Sequence, residues 1–139
     1  MVTSDIYEID GKNRGVRMEK KILVIEDNPD FRQMEKKLLE LAGYKVLEAD
    51  NSKDGIRLAI SEMPDLVIMD IRLPDKKRGI GAARLIRNNE KSRGIPILFL
   101  TGYVGGDATA EVRNIPNTRY LTKPVDMEIL LKEIKDCIR

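Results

Sequence analysis

Three runs in this chain, Ile22-Leu23-Val24-Ile25, Leu66-Val67-Ile68-Met69 and Ile95 to Leu100, are of strand length and apolar almost throughout. Side chains alternate between the two faces of a strand, so a run with no polar position has no face to offer to water. Strands of that kind sit in the middle of a sheet covered on both sides, which in a single chain means parallel strands joined by helical crossovers. The stretches between the runs supply those helices. Asn28 followed by Pro29 reads as a cap and a first helical residue, and Phe31, Met34, Leu38 and Leu41 give an apolar stripe closed by Gly43. Tyr44 to Ala49 reads as a second strand, and Ile56, Ala59, Ile60 and Met63 mark a helix that Pro64 stops. Ile80, Ala83 and Ile86 with Leu85 mark a third helix, a weaker one spans about Asp107 to Arg113, and Thr118 to Thr122 reads as the last strand. Met127, Leu130, Leu131, Ile134, Cys137 and Ile138 then set the period of a fifth helix.

Five strands alternating with five helices predict a three-layer α/β/α sandwich around a five-stranded parallel sheet, with the flavodoxin-like strand order 2-1-3-4-5. A length of 139 residues gives room for one such domain. Residues 1–19 lack a sustained apolar period and carry Gly11, Asn13 and Gly15, so they are expected to form a flexible or loosely docked extension, leaving 20–139 as the domain. The 25 basic and 23 acidic residues are dispersed, and a net charge of +2 gives no field that would gather nucleic acid or anionic lipid. No apolar stretch reaches the length of a membrane span and no secretory signal pattern is present, so no membrane partner and a cytoplasmic address are expected. A single Cys137 in a helical pattern reads as a half-buried thiol.

In parallel sheets ligands bind beyond the carboxyl ends of the strands. Here those ends are polar: Glu26 and Asp27 after the first strand, Asp70 after the third, Thr101 after the fourth, and Thr122 with Lys123 before Pro124 after the fifth. Three carboxylates at one edge repel one another unless a hard divalent cation such as Mg²⁺ takes their oxygens. A lysine and a hydroxyl opposite them suit the oxygens of a phosphoryl group. These are the parts of a phosphoryl-transfer site. Taken singly, each residue has an ordinary reading as a cap, turn or loop residue; their joint placement outweighs it. The glycines at 102, 105 and 106 match neither phosphate-loop pattern.

The segments ILVIEDNPD at 22–30, LVIMDIRLPD at 66–75, ILFLTG at 97–102 and YLTKP at 120–124 together resemble the four signatures of response-regulator receiver domains, from about Lys20 to Arg139. The resemblance implies a stand-alone, chemotaxis-type module of a two-component system. Asp70 would accept a phosphoryl group from a histidine kinase or phosphotransfer protein. Asp27, Glu26, Asp70 and the backbone carbonyl of Arg72 would hold Mg²⁺, Glu26 largely through water. Lys123 would pair with Asp70 and then with the phosphoryl group, while Thr101 and Tyr120 would act as the switch pair. The output surface would lie at about 107–138 and meet an unidentified protein target, with no direct nucleic-acid contact and no catalysis beyond self-phosphorylation and self-dephosphorylation.

Two departures from the family pattern stand beside the acceptor. Lys76, Lys77 and Arg78 lengthen a normally shorter, less basic loop, and the large residues Arg72 and Tyr103 imply slow loss of the phosphoryl group. Two other readings compete. One is a receiver-like interaction module that works without phosphorylation, against which the intact acidic pair and Lys123 weigh. The other is a Mg²⁺-dependent phosphohydrolase of the haloacid-dehalogenase type, which wants a second Asp where Arg72 stands.

Overall fold

The computed structural model describes residues 6–9, 15–71, 79–102 and 111–138, with side chains from Glu19 onward. Strands β1 (Ile6–Ile9) and β2 (Gly15–Met18) pair antiparallel in a sheet of their own, Ile6 opposite Met18 and Ile9 opposite Gly15. The sequence reading gave this segment no strand, because a four-residue ladder needs no apolar period. Five further strands form the main sheet: β3 (Lys21–Ile25), β4 (Lys45–Ala49), β5 (Leu66–Met69), β6 (Ile97–Thr101) and β7 (Thr118–Thr122). They lie in the order β4-β3-β5-β6-β7 and every pairing is parallel, so within the sheet the order is 2-1-3-4-5 as expected.

Helices α1 (Pro29–Leu41), α2 (Ser52–Glu62), α3 (Gly79–Asn88) and α4 (Met127–Ile138) cover the sheet, and a helical turn at Glu111–Arg113 is the described part of the weak helix before β7. Alternation along the strands divides the core in two. Leu23, Ile25, Val67, Met69, Ile97 and Phe99 point toward α2 and α3, meeting Ala59, Ile80, Ala83 and Ile86. Ile22, Val24, Leu66, Ile68, Leu98 and Leu100 point the other way, toward Leu39 of α1 and Leu130 and Ile134 of α4. Both faces of the central strands are therefore dry, which is why their sequences carry no polar position except at the terminal Lys21 and Thr101.

The phase of α1 differs from the expected stripe. Met34 and Leu41 are exposed, at 47% and 86%, and the residues buried on this helix are Glu35 and Leu39. A carboxyl at position 35 hides the true face from an apolar count, and the periodicity locks onto the neighbouring row. Met63, expected on the apolar face of α2, is also exposed and takes a left-handed conformation at φ 47° to end the helix. Leu85 is partly exposed at 41%, beside the buried row of α3.

At the amino ends of the strands Arg87 gathers four backbone carbonyls. Its Nε donates to Pro116 at 2.9 Å, its Nη1 to Arg93 at 2.6 Å and Ile95 at 2.7 Å, and its Nη2 to Asn117 at 3.2 Å. Planar forked donors suit such a cluster better than an ammonium does. Burial lowers the pKa of this guanidinium from its usual value.

Candidate functional site

The backbone ladder carries the acidic residues to the opposite edge. Glu26 N–H donates to the Ala49 carbonyl at 2.9 Å and Asp70 N–H to the Ile25 carbonyl at 3.4 Å, so each acid emerges just past the last sheet pairing. Asn28 caps α1 by accepting from Phe31 N–H at 2.9 Å, with Pro29 at the first helical position. That cap turns the chain sharply after Asp27 and holds the Asn28 N–H 3.1 Å from Glu26 Oε2. Arg32, one turn into the helix, donates from Nη1 to the Glu26 carbonyl at 2.8 Å and from Nε to Glu48 at 3.3 Å.

Glu26, Asp27 and Asp70 each offer a carboxylate oxygen, and these oxygens lie within 4.8 Å of one another. Glu26 is buried, Asp70 half-buried and Asp27 exposed. Lys123, delivered by the end of β7 across a cis peptide bond to Pro124, donates to Glu26 Oε1 and Asp70 Oδ2, both at 3.0 Å. Burial raises the Glu26 pKa, and this outweighs the lowering by its hydrogen bonds from Lys123 and Asn28. For Lys123, burial favours the neutral amine, but the hydrogen bonds to Glu26 and Asp70 outweigh it and hold the ammonium above its usual range. One cation thus neutralises part of a cluster of three acids. The remainder is a hard, all-oxygen donor set open to water on the Asp27 side, the chemistry that suits Mg²⁺.

Of the other expected site residues, Thr101 closes β6 opposite Thr122 of β7, and its side chain lies outside the described residues. Tyr120 is half-buried and packs against the core cluster shared with α2 and α3. Arg72, Tyr103 and the basic loop residues Lys76, Lys77 and Arg78 lie outside the described residues, as do residues 107–110 of the expected output surface.

Three contributors escaped sequence reasoning. The Phe31 ring lies under the Lys123 ammonium, 4.1 Å from nitrogen to ring centre, a cation–π contact that no linear spacing announces. Gly79 packs so tightly against the Asp70 carbonyl that a Cβ would overlap it, and its N–H donates to the Ile71 carbonyl at 2.8 Å. Its only sequence signal is a glycine at the first turn of a helix. The buried Glu35 is the third; a glutamate in mid-helix carries no linear signal that it faces inward.

A five-stranded 2-1-3-4-5 sheet with an acidic cluster and a lysine at its carboxyl edge defines a receiver fold, and comparison with known proteins agrees. The chain belongs to the response regulator receiver domain family, whose profile matches residues 22–135. It is 36% identical over 114 residues to Protein PilH of Pseudomonas aeruginosa, covering 82% of this chain and 93% of PilH. It is also 36% identical over 119 residues to the CAI-1 autoinducer sensor kinase/phosphatase CqsS of Vibrio cholerae, covering 85% of this chain. The chain spans only 17% of CqsS, and 52% of the phosphate regulon transcriptional regulatory protein PhoB of P. aeruginosa. Among solved structures, the chemotaxis protein CheY4 of V. cholerae superposes with a TM-score of 0.80 at 28% identity, covering 86% of this chain and 99% of CheY4. The chain is thus a CheY-type receiver domain, a signalling module of two-component systems. Among the described residues no helix is long and apolar enough to cross a membrane.

Proposed function

We propose that residues 20–139 form a phosphoacceptor switch, with 1–19 as an extension, and that Asp70 takes a phosphoryl group from a histidine kinase or phosphotransfer protein. The observation that carries this reading is the Lys123 ammonium 3.0 Å from Asp70 Oδ2 inside a cluster of three carboxylates. An Asp70 oxygen attacks the phosphorus of a phosphohistidine. The P–N bond breaks, its electron pair leaves with the imidazole, and an acyl phosphate forms. Glu26, Asp27, Asp70 and the backbone carbonyl of Arg72 are the residues that would hold Mg²⁺, Glu26 largely through water. When bound, that ion supplies charge neutralisation for the transferred oxygens.

Lys123 begins paired with Asp70 and transfers one of its hydrogen bonds to a phosphoryl oxygen, while its bond to Glu26 and the Phe31 ring keep it in place. Thr101 approaches another phosphoryl oxygen, and Tyr120 turns inward behind it, changing the surface at about 107–138 that meets a downstream protein. Arg72 and Tyr103 slow the return of water to the acyl phosphate. Only contacts stronger in the phosphorylated state shift the population, and two or three charge-assisted hydrogen bonds supply the few kcal/mol needed.

Intact mass after incubation with Mg²⁺ and acetyl phosphate tests the reading. Wild type gains one phosphoryl group; Asp70→Asn and a metal-chelated sample gain none. An adduct on Asp70→Asn would reject Asp70 as acceptor. Absence of both adduct and Mg²⁺ binding in the wild type would favour a module that acts without phosphorylation.

A further inference from the structure

Beneath Lys123, between α1 and α4, lies a cavity of about 120 Å³. Its wall is made by Phe31 and Leu38 of α1, Leu100 of β6, Pro124, and Met127 and Leu130 of α4. One polar side chain joins them. Glu35 lines the same cavity, is 3% exposed, and its Oε2 has no hydrogen-bond partner among the described residues. A buried carboxyl oxygen without a partner costs about 1–3 kcal/mol, so its presence in an otherwise well-packed domain calls for a counterpart. A lone water is a poor one, since a held water needs two to four polar partners and this wall offers one carboxyl.

We propose that this cavity is a binding site for a small apolar molecule carrying a single hydroxyl, seated with its hydrocarbon body between α1 and α4 and its hydroxyl on Glu35. The volume sets the scale, because a closed apolar cavity of about 150 Å³ takes one benzene ring, and this one is slightly smaller, with the half-exposed Met34 among its lining residues. A hydroxyl both donates and accepts, so it satisfies the Glu35 carboxyl with or without its proton. The site is separate from the acidic cluster, yet Phe31 is common to both: it lines the cavity, and its ring carries the Lys123 ammonium. An occupant therefore bears on the seat of the lysine. Binding itself does not depend on Asp70 accepting a phosphoryl group.

The test uses phenol and toluene, which share shape and differ in the hydroxyl, titrated into the full chain and followed by ¹H–¹⁵N chemical shifts. Phenol is expected to give saturable shifts at Phe31, Leu38, Leu100 and Leu130, and toluene to bind at least about tenfold more weakly, a factor worth about 1.4 kcal/mol. Glu35→Leu should abolish the preference for phenol, and Met34→Trp should weaken both ligands. Met34→Trp changes a half-exposed residue of the cavity lining, so it keeps the test decisive if Glu35→Leu folds poorly: undiminished binding of both ligands in Met34→Trp would also overturn the proposal. No saturable shift at these residues, equal affinities in wild type, or a phenol preference that survives Glu35→Leu would each overturn the proposal.

Discussion

Glu35 is the residue whose chemistry departs furthest from its surroundings. Burial, reinforced by the nearby charges of Glu26 and Asp70 and only partly offset by Lys123, raises its pKa from 4.5 to about 8. In the unfolded chain the carboxyl loses its proton near the ordinary value; in the folded chain it keeps it to about 8. The folded state therefore binds more protons across that window, and stability falls as pH rises through it, by at most about 1.4 kcal/mol per pH unit. Urea unfolding between pH 5.5 and 8.5 should show this decline in wild type and a flatter profile in Glu35→Gln, with Glu35→Leu more stable than wild type at pH 8.5 by about 1–3 kcal/mol. A wild-type profile as flat as that of Glu35→Gln would refute the assignment. The contrast with Asp70 is instructive. Asp70 and Lys123 were legible because each follows a strand run directly and strand ends converge by topology, whereas Glu35 sits mid-helix among charges and only the packing of α1 reveals that it faces inward.

Elements, more than residues, decide where the site's parts stand. Helix α3 starts at Gly79, whose missing side chain lets the backbone abut Asp70. Gly79→Ala should push the helix away from Asp70, cost about 1–3 kcal/mol as overpacking does, and, if Asp70 is the phosphoacceptor proposed above, slow phosphoryl uptake from acetyl phosphate. Unchanged stability and unchanged uptake would show that the junction yields without consequence. The strand runs were read correctly to within two residues: β5 and β7 match, β4 begins at Lys45 rather than Tyr44, and β6 spans Ile97–Thr101 rather than residues 95–100. Burial on both faces marks the central strands plainly, while the edge strands β4 and β7 are only half-buried. Helix faces were harder. On α1 the inward row includes Glu35, and the paired strands β1 and β2 owe their ladder to backbone hydrogen bonding, which leaves no apolar signature.

For the whole molecule, a cation bound at the acidic cluster would be linked to folding. Three carboxylates held together with one lysine repel in the folded chain and separate in the unfolded one, so an ion that binds only the folded cluster stabilises it by mass action. At a hundred times the dissociation constant the gain is about 2.7 kcal/mol. Thermal unfolding with Mg²⁺ should shift upward, return to the metal-free value with chelator, and respond weakly in Asp27→Asn. An equal response in Asp27→Asn would remove that residue from the donor set. The two ends of the sheet are built from opposite materials. At the amino end Arg87 ties the segment after α3 to the residues just before β7 through four carbonyls, so β6 and β7 leave a common anchor together. At the carboxyl end the same two strands deliver Thr101, paired with Thr122 in the ladder, and Lys123, whose ammonium is held by the charges of Glu26 and Asp70. A new charge at Asp70 therefore acts first on the end that carries Lys123, 3.0 Å away, while the arginine knot stands at the far end of the same strands.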